Sequence, residues 1–180
     1  MSLILTVVIW KILNRFGSLG KKMQKVLWVV AAALITDNFK VLLSCRPEGK
    51  NFAGFWEYPG GKIEQGETPE TALCRELKEE LRLTVDPADL KPLTFASFDY
   101  PAFHLVMPVF VCRHWEGTPV GQEGQRIDFV DAETVGLENE KYPMPPADNE
   151  LSSGLRAWIR QQKEFEKNRL LSGDIENLGI

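Results

Sequence analysis

The sequence predicts an α/β fold, and three observations carry that prediction. Apolar runs rich in β-branched residues alternate with polar turns, as strands do. One strongly marked helix interrupts them after Thr68 and Pro69, and a second helical stretch closes the chain. Strands on either side of a helix, followed by another helix, are the element order of α/β proteins.

The elements follow in order from Met23. "VLWVVAAALIT" reads as a buried strand, "DNFK" as a polar turn and "VLLSCR" as the answering strand. "PEGKNFAGFW", with one proline and two glycines, reads as a loop. Thr68 supplies a hydroxyl N-cap, and Pro69 suits the first helical position. The helix runs to about Leu81, with Leu73, Leu77 and Leu81 as its buried stripe. "LTFASFDY" and "FHLVMPVFVCRHW" are strand-like and joined as a hairpin at Pro101 and Ala102. "GTPVGQEGQ" is a glycine-rich loop, "RIDFVD" a short strand and "YPMPPADNE" a proline loop. The last helix spans about Asn149 to Leu171, with an apolar stripe at Leu155, Trp158 and Ile159.

Composition bounds the function. The chain has 180 residues, 44% hydrophobic and 26% charged, enough for a real core. Its formal net charge of −4 argues against a nonspecific nucleic-acid binder. Three scattered cysteines, Cys45, Cys74 and Cys112, show neither metal spacing nor a disulfide framework, which points to a reducing cytoplasm. His104 and His114 have no partner pattern. "LILTVVIW" is too short to span a membrane, which takes about 20 apolar residues. No basic residues precede it as in a signal peptide. Residues 1–22 therefore read as an extension, an over-called start ahead of Met23, or a weak membrane-surface helix. The domain itself is expected over 23–171, with a tail over 172–180.

The chemistry concentrates in "GGKIEQGETPETALCRELKEELRL". Glu76, Glu79 and Glu80 are spaced i, i+3, i+4, so they share a sector of about 100° beside the leucine stripe. A like-charged i, i+4 pair costs a few tenths of a kcal/mol, and more in a low dielectric. The offset is either solvent with Lys78 and Arg75, or a divalent cation. Mg²⁺ takes carboxylate oxygens together with substrate phosphates. The double glycine before the helix lets backbone groups approach a ligand closely.

Gly61, Glu67, Arg75-Glu76-Leu77 and Glu79-Glu80 stand at spacings that resemble the Nudix box. Arg82 departs from that pattern, which has glycine there. Glycine would suit a left-handed cap; arginine would cost roughly 1 kcal/mol, or the helix runs one residue further. "EYPGGKIEQGETPE", "WEGTPVGQEGQ" and "YPMPPAD" extend the resemblance to the MutT subgroup, which hydrolyses 8-oxo-dGTP. The resemblance implies an α/β/α sandwich, a mixed sheet between helices. It implies that Glu76, Glu79 and Glu80 hold Mg²⁺ (or Mn²⁺ as a substitute), helped by the Gly60 carbonyl. Glu67 and Arg75 would orient the cluster through a salt bridge. Glu123 matches a further catalytic or metal-binding glutamate, or is a solvated loop residue. Arg46 falls at a substrate-contacting position or is an ordinary surface arginine. Glu57 and Tyr58, with Pro59 and Gly60, would line the nucleotide pocket.

The implied reaction is water attack on a nucleoside triphosphate, giving a monophosphate and pyrophosphate. Glu79, Glu76 or Glu123 would take the proton. The subgroup reads the oxidised base with an asparagine after "PPA", where this chain has Asp148 and then Asn149. An ionised carboxylate only accepts, and 8-oxoguanine carries a proton on N7 that guanine lacks. Asp148 would accept that proton, Asn149 would replace it after a one-residue shift, or Asp148 merely caps the last helix. A CTP or dCTP hydrolase of the same family is the alternative reading. A non-catalytic Nudix-like module is a further one, disfavoured by the complete set of glutamates. No stable nucleic-acid partner is expected.

Overall fold

The computed structural model describes residues 25–137 and 141–172. The expected extension, 1–22, lies outside the described residues, as does the expected tail beyond Ser172. The elements are β1 (Val26–Leu34), β2 (Lys40–Cys45), β3 (Trp56–Glu57), β4 (Gly60–Lys62), α1 (Pro69–Leu81), a 3₁₀ turn (Pro87–Asp89), β5 (Lys91–Asp99), β6 (His104–Cys112), β7 (Arg126–Asp131) and α2 (Pro146–Leu171).

The strands form two sheets, ordered β4-β1-β6-β5 and β3-β2-β7. β1 runs parallel to β6 and antiparallel to β4. β5 and β6 are the expected hairpin around Pro101 and Ala102. β2 pairs antiparallel with β3 and β7. It does not answer β1 as a hairpin strand: one bridge, Ile35 to Val41, joins them. Both edges of β1 are already taken, by β4 and β6, so β2 must build a sheet of its own. β3 and β4, two and three residues long, lie in the stretch read as loop and turn.

β1 shows why the sequence there is continuously apolar. Val30, Ala32 and Leu34 pack with Leu73, Leu77 and Leu81 of α1. Ala31, Ala33 and Ile35, on the other face, pack in the cluster that holds Leu151, Leu155 and Ile159 of α2. A strand covered by helices on both sides has no solvent face to make polar. The result is the expected sandwich, with α1 and α2 on opposite sides of the strands. Each buried leucine of α1 contributes roughly 2 kcal/mol, which outweighs the few tenths lost to like charges on its other face.

α1 begins as the sequence indicates. Thr68 and Thr71 satisfy each other's backbone N–H groups, and Pro69 follows the cap. Its end settles the question of Arg82. The helix stops at Leu81, and Arg82 itself takes the left-handed conformation, φ 59° and ψ 27°. Leu83 N–H then reaches back to Leu77 O at 3.2 Å. α2 starts three residues before Asn149, at Pro146, behind Pro145. Asp148 therefore stands inside the first turn rather than capping it, and no side chain caps this helix.

Candidate active site

The two glycines set how closely α1 approaches the sheet. Gly60 has φ +151°, and a Cβ there would lie 2.1 Å from Val30 O on β1. A Cβ on Gly61 would lie 2.2 Å from the Glu76 carboxyl carbon. Glu76 thus tucks its carboxylate against bare backbone, in space any side chain at 61 would fill.

Arg75 gathers the acids beside it. Its Nε and Nη2 donate to the two Glu67 oxygens at 2.8 and 2.9 Å. Nη1 donates to Glu76 at 2.9 Å and to Glu79 at 3.2 Å, and Nη2 also reaches Lys62 O at 3.1 Å. The Arg75 guanidinium, with the Glu64 N–H behind it, holds the Glu67 carboxyl at about 2. The expected Glu67–Arg75 bridge is therefore present as a two-pronged fork, the strong geometry for such a pair. Glu80 behaves oppositely. Burial pushes it up to about 8, and the charges of Glu76, Glu123 and Glu57 add to the push, against a hydrogen bond from the Gly60 backbone.

Glu80 opens on a cavity of about 900 Å³ that runs between the two sheets' ends. Arg46, Glu57, Tyr58, Pro59, Gly60, Glu80, Glu123 and Asp148 all line it. Arg46 and Glu57 pair at 2.5 Å, and burial raises the Glu57 carboxyl against that ion pair. Glu123 pairs with Lys50 at 2.8 Å across the opening. At the far end Asp148 is buried, and its Oδ1 accepts from the Tyr58 N–H at 3.2 Å. Burial pushes Asp148 up to about 7, with Glu57 adding and Tyr58 N–H opposing. The Tyr58 hydroxyl shares a 2.8 Å hydrogen bond with Ser152 Oγ, which ties the residue after β3 to α2.

Three expected positions are placed elsewhere. Asn149 is exposed and outside the cavity, because one residue along α2 turns the side chain by about 100°. Glu76 lies under Gly61, and the Glu79 side chain is 60% exposed beside Arg75, so neither lines the cavity. Among the described residues no three acidic, His or Cys side chains already converge as a metal cage. The donor set nevertheless suits a hard divalent cation. It is all oxygen, like-charged and partly buried, and it includes Glu80, a carboxyl pushed up by burial and then by its neighbours' charges.

Several cavity residues had no place in the sequence reading. Ser44 is buried on β2, and its hydroxyl is the one buried side-chain polar atom among the described residues without a hydrogen-bond partner. It lines the cavity. A single hydroxyl inside "KVLLSC" was the available signal. Tyr100 and Phe103 flank the hairpin turn with ring centroids 5.0 Å apart, and Phe52 meets Tyr100 at 6.1 Å. Their clustering at one hairpin tip, "FDYPAF", was readable; Lys50 in its loop was not.

Comparison with known proteins agrees with this architecture. The NUDIX domain description matches residues 26–155. The chain is 36% identical over 130 residues to an 8-oxo-dGTP diphosphatase of Haemophilus influenzae, covering 72% of this chain and 91% of that protein. It is 33% identical over 119 residues to a CTP pyrophosphohydrolase of Escherichia coli, covering 66% and 84%. A solved structure of MutT, from work on the Aliivibrio salmonicida and Vibrio cholerae proteins, superposes with a TM-score of 0.62 at 30% identity, covering 74% of this chain and 99% of that one. No helix among the described residues is long and apolar enough to cross a membrane.

Proposed function

The chain belongs to the NUDIX family, as a hydrolase of phosphoanhydride bonds, and from that premise we propose that it converts 8-oxo-dGTP to 8-oxo-dGMP and pyrophosphate. The observation that carries this reading is the cavity itself. It brings Gly60 and Glu80 at one side and Asp148 at another into one space of about 900 Å³, within the volume range of small-ligand sites.

Glu76, Glu79 and Glu80, with Gly60, would hold Mg²⁺, with Mn²⁺ as a substitute. Bound there, the ion supplies Lewis-acid polarisation of phosphate oxygens and a more acidic water. The protein's own groups do the rest. Arg75 fixes Glu67 and Glu76, so the acidic face is oriented before substrate arrives. Arg46, Lys50 and Lys62 line the cavity and offset the triphosphate charge. Of the three glutamates suited to take the water's proton, Glu123 is the one on the cavity wall, and we assign it the general-base role. Asp148 faces the base and accepts from the N7–H of 8-oxoguanine. This chemistry fits a cytoplasmic, nucleotide-pool enzyme with three free cysteines.

A second reading rests on the cytidine relative. A carboxylate at Asp148 would equally accept from the cytosine amino group. A panel of 8-oxo-dGTP, dGTP, CTP and dCTP with Mg²⁺ separates the two. The expected result is kcat/KM for 8-oxo-dGTP at least about tenfold above dGTP, ~1.4 kcal/mol of discrimination. A lead for CTP or dCTP would favour the cytidine reading, and equal rates throughout would remove both.

A further inference from the structure

Arg82 occupies a backbone conformation that costs an L-residue energy and glycine nothing, at φ 59°. Its side chain leaves the helix end for the glycine-rich loop. Nε donates to Gln122 Oε1 at 2.6 Å, forty residues along the chain. Gln122 is held again through its backbone, whose N–H donates to Glu80 O at 2.9 Å. Val120 N–H donates to Leu81 O at 3.1 Å, and Gln125 Nε2 to Glu80 O at 3.1 Å. The loop thereby takes up the last carbonyls of α1, which have no partner within the helix.

Glu123 lies between those anchors. Its own N–H donates to Gln125 Oε1 at 2.6 Å, so the residues on both sides of it are fastened to positions 80–82. Gly117 and Gly124 take positive φ in the same loop. The carboxylate itself pairs with Lys50 at 2.8 Å, and these ties place the backbone that carries it. Glycine at 82 would relax the helix cap but leave Gln122 tied to α1 through its backbone alone, its side chain keeping only the bond within the loop, from Nε2 to Val120 O at 2.9 Å.

We propose that Arg82 is a positioning residue: its bond to Gln122 latches the 117–125 loop onto the end of α1 and keeps Glu123 at the cavity wall. The proposal rests on the assignment of Glu123 to the reaction. It explains why a strained arginine stands where this family's pattern has glycine.

The test uses the full chain as Arg82→Gly, Gln122→Ala and Arg82→Lys. Arg82→Gly relieves the strained cap, so its melting temperature should be level with the parent's or higher. Its kcat should nevertheless fall about tenfold with KM within about twofold, the pattern of a misplaced group rather than lost binding. Gln122→Ala cuts the same bond, and the Gln122 Nε2–Val120 O bond with it, without touching the cap, and should reproduce the kcat loss with no gain in melting temperature. Arg82→Lys keeps a donor at that site and should recover most of the rate. Hydrogen exchange of the Val120 and Gln122 amides, which needs no turnover, should quicken in the first two variants. Unchanged exchange, or a kcat within about twofold of the parent in both, would overturn the latch. A parent inactive on every nucleotide would instead strike the catalytic assignment, and the exchange result would still decide whether the latch exists.

Discussion

α1 and α2 each lend one acid to the same cavity, and they do it by opposite means. Glu80 of α1 is pushed up to about 8 by burial, with the charges of Glu76, Glu123 and Glu57 adding to the push. Asp148 of α2 is more deeply buried, with the Arg46–Glu57 pair as its charged neighbours and backbone N–H groups, of Tyr58 and of Asp148 itself, against its carboxyl. Crowded acids are relieved by a cation, which neutralises several at once. A solitary buried acid is relieved by a proton or by a neutral donor. The first arrangement suits phosphate chemistry and the second suits the edge of a base.

The comparison is broken most directly by removing divalent ions. With excess chelator, turnover should fall by about a thousandfold or more, which is ~4 kcal/mol of barrier. The melting temperature should barely move, since the leucine stripe of α1, not the acids, holds the helix down. Steady-state rates and a thermal melt in the same buffer check both halves. Activity that survives chelation would mean that the crowded acids serve no cation.

Next in size are Glu79→Gln and Glu80→Gln, made singly. Glutamine keeps length and helix propensity and removes charge. Each should lower kcat by about a hundredfold, ~2.7 kcal/mol. Metal-free stability should stay level after Glu79→Gln and rise after Glu80→Gln, where a buried and repelled carboxyl is lost. Rates within a few-fold of the parent in both would return these residues to a solvated face.

The same two helices show what the sequence could disclose. α1 was legible to the residue, because its cap, its proline and its leucine spacing are local signals. The start of α2 was not. Two adjacent prolines read as loop, yet Pro146 fills the first helical position, where its missing N–H costs nothing. That shift of three residues rules out the cap among the readings of Asp148, leaving it on the cavity wall, and puts Asn149, the one-residue alternative, at an exposed position. The division of the strands into two sheets was equally hidden, since it depends on β4 and β6 claiming β1 from 30 and 80 residues away in rough terms. β3 and β4 are too short to carry any periodicity. Ser44 and Lys50 matter only through what the fold brings near them.

The solitary acid is probed by Asp148→Asn. An amide can donate as well as accept, so the preference for 8-oxo-dGTP over dGTP should shift by about tenfold, ~1.4 kcal/mol, while kcat on the better substrate changes less. Its stability carries a sign. The Asp148 carboxyl sits at about 7 in the folded state, above its ordinary value of 3.8, so the folded chain binds the proton more tightly. Stability from this group is therefore lost as pH rises from about 4 to 7 and levels off beyond. Asp148→Asn should flatten that slope, matching the parent near pH 4 and exceeding it at pH 8. Chemical denaturation at the two pH values checks it, and parallel slopes would mean that Asp148 titrates normally.

The smallest expected effect belongs to Ser44, on the strand between the two helices. Its hydroxyl is buried on the cavity wall and lacks a partner. A buried polar group left unsatisfied costs about 1–3 kcal/mol, so Ser44→Ala should stabilise the ligand-free protein by about 1 kcal/mol. If the hydroxyl is kept for the nucleotide, the same change should weaken binding of the monophosphate product. The gain in melting temperature on adding product would then shrink in the variant, although its ligand-free value is higher. Opposite signs in the two states would place Ser44 with Glu80 and Asp148, as a group that is costly alone and satisfied by what the cavity binds. A variant that gains nothing without ligand, and loses nothing with it, would make the hydroxyl an incidental feature of β2.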